Sequence, residues 1–74
     1  MKLTVKLFAH FRDNRFVSEV QEYHDGITIG EIVDRLGIDR DDIGITMINS
    51  KHCGFSDAPA EDDTLAIFPL VGGG

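Results

Sequence analysis

The residues with the clearest chemical potential are Leu70-Val71-Gly72-Gly73-Gly74, directly after Thr64-Leu65-Ala66-Ile67-Phe68-Pro69, an apolar stretch that reads as a strand. Glycines with no element behind them are neither an interior turn nor a helix cap. They make a thread without side chains, which a narrow tunnel in another protein can admit. A frayed end is the ordinary alternative. Here, however, Pro69 halts the strand, Leu70 and Val71 keep the root apolar, and the glycines follow at once. A terminal carboxyl has a pKa of roughly 3.3–3.7, so it is ionised near neutral pH and is a poor acyl electrophile. Conversion to an acyl-adenylate by another enzyme supplies a leaving group. Glycine leaves the carbonyl unhindered, and enclosure protects the activated acyl group from water. The terminal carboxylate is therefore the leading functional candidate.

Other constellations offer less. His10, His24, His52 and Cys53 show no CxxC, HxH or HxxxH spacing, so no metal site is expected. His52 and Cys53 are adjacent, which on a strand sends their side chains to opposite faces. A Cys53 nucleophile needs a base and an orienting group, and the sequence hints at neither; Cys53 reads as a small packing residue. Gly72-Gly73-Gly74 is no phosphate loop, because no helix follows to present amides to an anion. Gly30 lacks the rest of a phosphate fingerprint and reads as a small residue that permits close helix–sheet packing. Carboxylates are abundant, but so small a domain implies no pocket for a catalytic pair. As an independent enzyme the chain has little to work with.

Composition sets the frame. The 74 residues make one small domain, and Cys53, the only cysteine, excludes an internal disulfide and argues against a disulfide-rich secreted scaffold. The net charge of −6, with acidic clusters at Asp39-Arg40-Asp41-Asp42 and Glu61-Asp62-Asp63, disfavours nucleic acid as a partner. It suits docking on a basic protein surface. Met1 to Lys6 alternates and lacks the apolar run of a signal peptide. No stretch approaches the roughly 20 apolar residues that span a bilayer. The expectation is a soluble, cytoplasmic protein without membrane partners.

The elements that must position the tail are legible in outline. Leu3, Val5 and Leu7 alternate with Lys2, Thr4 and Lys6, the period of a half-buried strand, and Phe8 falls on the other face. Arg12 to Arg15 is a break. Phe16 to Tyr23 reads as a second strand, and its mixed parity suggests a bulge. Thr28 and Glu31 form a capping box, with Ile27 and Ile32 as the hydrophobic staple around it. Ile29, Ile32, Val33 and Leu36 form one apolar stripe, and Gly37 with Ile38 fits a left-handed helix end. Ile43 to Ile48 reads as a third strand buried on both faces, Asn49-Ser50-Lys51 as a turn, and His52 to Phe55 as a short edge strand. Ser56 to Asp63 is loop, and Leu65 to Phe68 the last strand. The helix stripe is expected to bury against Leu3, Val5, Leu7, Ile45, Met47 and Ile67. One helix across a mixed sheet is the economical solution. The class is α+β, and the β-grasp is the fold with this order. The expected organisation is a β-grasp domain over residues 1–69 and a flexible glycine tail over 70–74.

Phe68-Pro69-Leu70-Val71-Gly72-Gly73, preceded by Glu61-Asp62-Asp63-Thr64-Leu65-Ala66-Ile67, resembles the C-terminal signature of the MoaD/ThiS family of ubiquitin-like sulfur carriers. Leu7-Phe8-Ala9, the helix start from Asp25 to Glu31, and Ile48-Asn49-Ser50-Lys51 resemble family landmarks in the expected order. Phe68-Pro69 is more like the molybdopterin-synthase small subunit than the thiamine carrier. The resemblance implies a carrier rather than an enzyme, with no bound cofactor. A ubiquitin-activating-type adenylyltransferase would consume ATP to adenylate the terminal glycine, and a persulfide relay would convert it to a thiocarboxylate. The sulfur acceptor would be a molybdopterin synthase large subunit or another acceptor enzyme. It implies Gly74 as the donor, Gly73 and Gly72 as the thread, and Leu70, Val71, Pro69 and Phe68 as binding residues. Glu61, Asp62 and Asp63 are expected to rim the surface around Phe68. The acceptor pathway stays open among molybdopterin or tungstopterin, thiamine and a sulfur-containing amino acid. So does the choice between carrier, protein modifier conjugated through its terminal glycine, and plain interaction module. The family ordinarily ends on two glycines where this chain has three, and Ser50 and Asp62 stand where it often has turn glycines.

Overall fold

The computed structural model describes residues 1–70; residues 71–74, most of the expected tail, lie outside the described residues. Five strands, β1 (Lys2–Leu7), β2 (Ser18–Glu22), β3 (Ile43–Ile48), β4 (Lys51–Cys53) and β5 (Thr64–Pro69), form one sheet in the order β2-β1-β5-β3-β4. β1 and β5 are parallel, and the other pairs are antiparallel. A single helix, α1 (Ile29–Arg35), covers one face, and 3-10 turns occupy Ala9–Arg12 and Arg40–Asp42. This is the expected β-grasp.

The helix forms where its signals lie. Thr28 Oγ1 accepts the Glu31 amide at 3.2 Å, while the Thr28 amide donates to Glu31 Oε1 at 3.3 Å, closing the capping box. At the other end Gly37 has φ of 74°, its amide donates to the Asp34 carbonyl, and the Ile38 amide donates to Val33. Those two bonds are the Schellman pair, and Ile38 folds back into the core. Ile27, Ile29, Ile32 and Val33 are fully buried with Leu3, Val5, Leu7, Leu65 and Ile67.

Several expectations change. Leu36 is only half-buried, because it is the C-cap at the margin of the helix–sheet contact. β2 carries no bulge: its register with β1 runs unbroken from Lys2↔Glu22 to Lys6↔Ser18. It is an exposed edge strand, so neither face is tied to one parity by burial. The irregularity sits in β3 instead, where Ile43 opposes Pro69 and Ile45 opposes Phe68, leaving Gly44 as the extra residue. The bulge shifts parity, so Thr46 and Ile48 pair with the core residues Ile67 and Leu65. Ile45 and Met47 pair with Phe68 and Ala66 on the other face. β3 is therefore not buried on both faces, and Ile45 is 40% exposed.

Gly30 does not serve helix–sheet contact. A Cβ there would meet the Arg40 guanidinium at 2.6 Å, so its bareness makes room for that side chain. Asn49 and Ser50, with φ of 51° and 68°, make the two-residue turn between β3 and β4, and Asp62 has φ of 67°. The left-handed backbone that a turn glycine would adopt is thus kept at Ser50 and Asp62.

Candidate functional site at the root of the tail

The sheet face opposite α1 is open. Because β1 and β5 are parallel with Leu7 beside Ile67, the next residue of each strand turns outward at the same level. Phe8 and Phe68 therefore stack, their centroids 4.1 Å apart and their planes 14° from parallel. Ala9 follows in the left-handed region, with φ of 52°. That turn lets Phe8 stay outside while Phe11 enters the core at 3% exposure. Phe8, Ala9, Ile45, Met47, Phe68 and Leu70 line a shallow recess of about 490 Å³. The Arg12 guanidinium lies 5.2 Å from the Phe8 ring centroid, its Nε donating to the Leu7 carbonyl at 2.7 Å. Lys6 lies on the same face.

The tail root is tied to the sheet. The Leu70 amide donates to the Asp42 carbonyl at 2.9 Å, placing the Arg40–Asp42 turn beside the point where the tail begins. Arg40 braces that turn against α1. Its Nε and Nη2 donate to Asp34 at 3.1 and 2.9 Å, and its guanidinium lies 5.2 Å from the Phe55 centroid. The hydrogen bond to Asp34 pushes the Arg40 pKa further above its already high value, against an opposing effect of desolvation and with the Asp34 charge adding to the rise.

The acidic rim differs from expectation. Asp63 precedes β5 and Phe68 lies near its end, about 16 Å apart at the usual strand rise of about 3.3 Å per residue. Glu61 and Asp62 bond instead to the Lys2 backbone at the far end of β1. The acidic segment that reaches the tail root is Asp39-Arg40-Asp41-Asp42, through the backbone carbonyl of Asp42.

Of the candidate tail residues, Phe68 is half-buried on the open face, Pro69 is buried, and Leu70 is 64% exposed. Val71, Gly72, Gly73 and Gly74 lie outside the described residues. Among the described residues no group of three or more His, Cys, Asp or Glu side chains could hold a metal ion. Cys53 is half-buried, and among the described residues its Sγ has Thr46 Oγ1, at 3.5 Å, as its hydrogen-bond partner. The first amides of α1 are consumed within the fold: Ile29 donates to Asp57, Gly30 to Phe55, and Glu31 to Thr28. No helix of the described residues is long and apolar enough to cross a membrane. The sequence places Phe8 on the outer face but does not by itself reveal its pairing with Phe68. The signal was present: each aromatic directly follows a core residue, Leu7 or Ile67. Ile45, expected in the core, lies on the open face because the bulge at Gly44 shifts its parity.

A family model described as the ThiS family matches residues 5–74. No curated protein matches the chain. Among solved structures, SAMP1 from Haloferax volcanii, a small archaeal modifier protein, is 24% identical over 100% of both chains, with a TM-score of 0.77. A candidate molybdopterin converting factor subunit 1 from Pyrococcus furiosus is 21% identical over 96% of this chain and 99% of its own, with a TM-score of 0.78. The HVO 2177 protein of Haloferax volcanii is 22% identical over 100% of this chain and 87% of its own, with a TM-score of 0.81. At such identities the likeness to these structures establishes the ubiquitin-like β-grasp fold alone.

Proposed function

The chain belongs to the ThiS family, and from that premise we propose that it is a sulfur carrier whose C-terminal Gly74 is adenylated and converted to a thiocarboxylate. The observation that carries the reading is the span of the family match, which includes Gly72, Gly73 and Gly74. The open apolar face ending on Leu70 supports it, since a docked partner would hold the root of the thread that enters its site.

The chemistry belongs to partners. An adenylyltransferase of the ubiquitin-activating type joins a Gly74 carboxylate oxygen to the α-phosphorus of ATP and releases pyrophosphate. A persulfide anion then displaces AMP at the carbonyl, giving an acyl disulfide. A second thiol cleaves its S–S bond, leaving the thiocarboxylate while that thiol becomes part of a disulfide. The carrier binds no cofactor of its own and works in the cytoplasm. Sulfur passes to an acceptor enzyme, first among them a molybdopterin synthase large subunit; thiamine and amino-acid pathways would use the same donor. Phe8, Ile45 and Phe68 anchor the partner, Leu70 and Val71 lead into its channel, and Gly72 and Gly73 thread it.

The test is intact mass after incubation with an activating enzyme, ATP and a sulfur source. The expected result is one oxygen-for-sulfur exchange mapping to the C-terminal peptide and lost on deleting Gly73 and Gly74. Deleting Gly74 alone decides whether the third glycine is the donor. The likeness in fold to a small archaeal modifier protein keeps a second outcome in view: recovery of the chain linked to lysines would favour a modifier. An unchanged mass would end the carrier reading.

A further inference from the structure

Gly44 stands where the bulge of β3 meets the start of the tail. Its φ lies outside the left-handed region, so backbone conformation does not call for glycine there. Space does. A Cβ on Gly44 would lie 2.9 Å from the Pro69 carbonyl oxygen, 3.1 Å from Leu70 Cα and 3.2 Å from the Pro69 carbonyl carbon. All three are backbone atoms, which cannot swing aside as a side-chain tip does. Pro69 has no amide hydrogen, so the Leu70 amide, bonded to the Asp42 carbonyl at 2.9 Å just beyond the β3–β5 ladder, is the donor that ties down the end of β5. The same backbone that crowds Gly44 therefore carries the bond that ties the tail root to the Arg40–Asp42 turn. Any side chain on Gly44 must lift Pro69 and Leu70 away from β3 and strain or break that bond.

We propose that Gly44 is a positioning residue for the root of the tail: by lacking a side chain it seats Pro69 and Leu70 against β3 and sets the point at which the chain leaves the fold at Leu70. The functional half of this inference rests on the sulfur-carrier reading above; the structural half does not. Docking through Phe8, Ile45 and Phe68 fixes where the partner sits. The seat on Gly44 fixes where the chain leaves the sheet at Leu70, and so where the thread begins relative to that partner. Loss of the seat should act on the chemical step more than on binding, since misplacement of a reacting group by about 1 Å can cost on the order of a hundredfold in rate.

The experiment compares the full chain with Gly44→Ala and Gly44→Ser by amide hydrogen exchange and by pyrophosphate release with an activating enzyme and ATP. In the unaltered chain the Leu70 amide should exchange more slowly than in an unstructured peptide. In the variants that protection should fall while Val5, Ile32 and Ile67 stay protected. The kcat should drop about tenfold to a hundredfold with KM changed less than about twofold. Serine should do more than alanine. A folded Gly44→Ala chain with Leu70 as protected as before, or with an unchanged kcat, overturns the proposal. If the variants do not fold, the unaltered chain decides: an unprotected Leu70 amide overturns the seat, and a protected one supports it. If the unaltered chain releases no pyrophosphate, the carrier reading fails, while the exchange measurement still judges the seat.

Discussion

One face of the sheet lies beneath α1 and the other lies open, and the two are apolar in different ways. Beneath the helix stand aliphatic residues at 0–1% exposure, Leu3, Val5, Leu7, Leu65 and Ile67, meshed with Ile29, Ile32 and Val33. The open face carries a stacked aromatic pair, a methionine and the half-exposed Ile45, with Lys6 and Arg12 beside them. Branched aliphatics fill a closed space at close-packed density. Aromatics give a large contact area with little side-chain freedom to lose, which suits an intermittent partner. One small sheet thus divides its apolar surface between a closed core that holds the fold and an open face that leaves aromatic area available to a partner.

The largest test lies on the covered face. Ile32→Ala should destabilise the protein by about 2–5 kcal/mol in denaturant unfolding, with partner affinity measured on the folded fraction unchanged. A loss well under 1 kcal/mol would mean that the helix contact does not hold the fold. On the open face the pattern should reverse. Phe68→Ala should weaken binding to an activating partner at least about tenfold, the scale of an interface anchor, yet cost only about 1 kcal/mol of stability for the lost stack. A stability loss as large as that of Ile32→Ala would make Phe68 part of the core and erase the division.

Leu36 probes the boundary. Half-buried at the C-cap, its truncation to alanine should cost less than the about 2–5 kcal/mol of a fully buried leucine, measured beside Ile32→Ala. An equal loss would extend the covered face to the helix end. The smallest effect belongs to Tyr23, the only tyrosine in a chain without tryptophan, at the sheet's rim. Burial raises its pKa, partly offset by Arg35, with Glu19 adding to the rise, and its hydroxyl donates to Gln21. The unfolded phenol therefore loses its proton first. Stability should be fully present below the unfolded value of about 10 and fall as pH rises past it. Phenolate absorbance in folded and denatured protein gives the two pKa values directly; equal values would place Tyr23 in solvent.

The helix was legible almost to the residue because its signals are local: Thr28, Glu31, Gly37 and Ile38 each act within a few positions of chain. β1 was legible because only one of its parities is apolar. β3 was not, since Ile43, Ile45, Met47 and Ile48 offer both parities, and a bulge at Gly44 decides between them through contact with Pro69. The mixed pattern of β2 was misread for a related reason: an exposed edge imposes no parity. At the candidate site, the aromatics and Pro69 were visible as types. Their meeting depended on the parallel register of β1 and β5, which joins residues sixty positions apart. The acidic rim was misplaced because adjacency in sequence was taken for adjacency in space, although Phe68 lies a strand's length from Asp63.

The central place of β5 also bears on how the molecule is made. This strand is bonded on one edge to β1 and on the other to β3, so neither neighbour completes its ladder until residues 64–69 have been synthesised. Pairings between segments so far apart in sequence close late and slowly. A growing or prematurely stopped chain that lacks β5 leaves Leu3, Val5 and Leu7 without their partners and remains open to proteolysis. Folding thus depends on length: the sheet closes only in a copy translated at least as far as Pro69, at the threshold of the glycines.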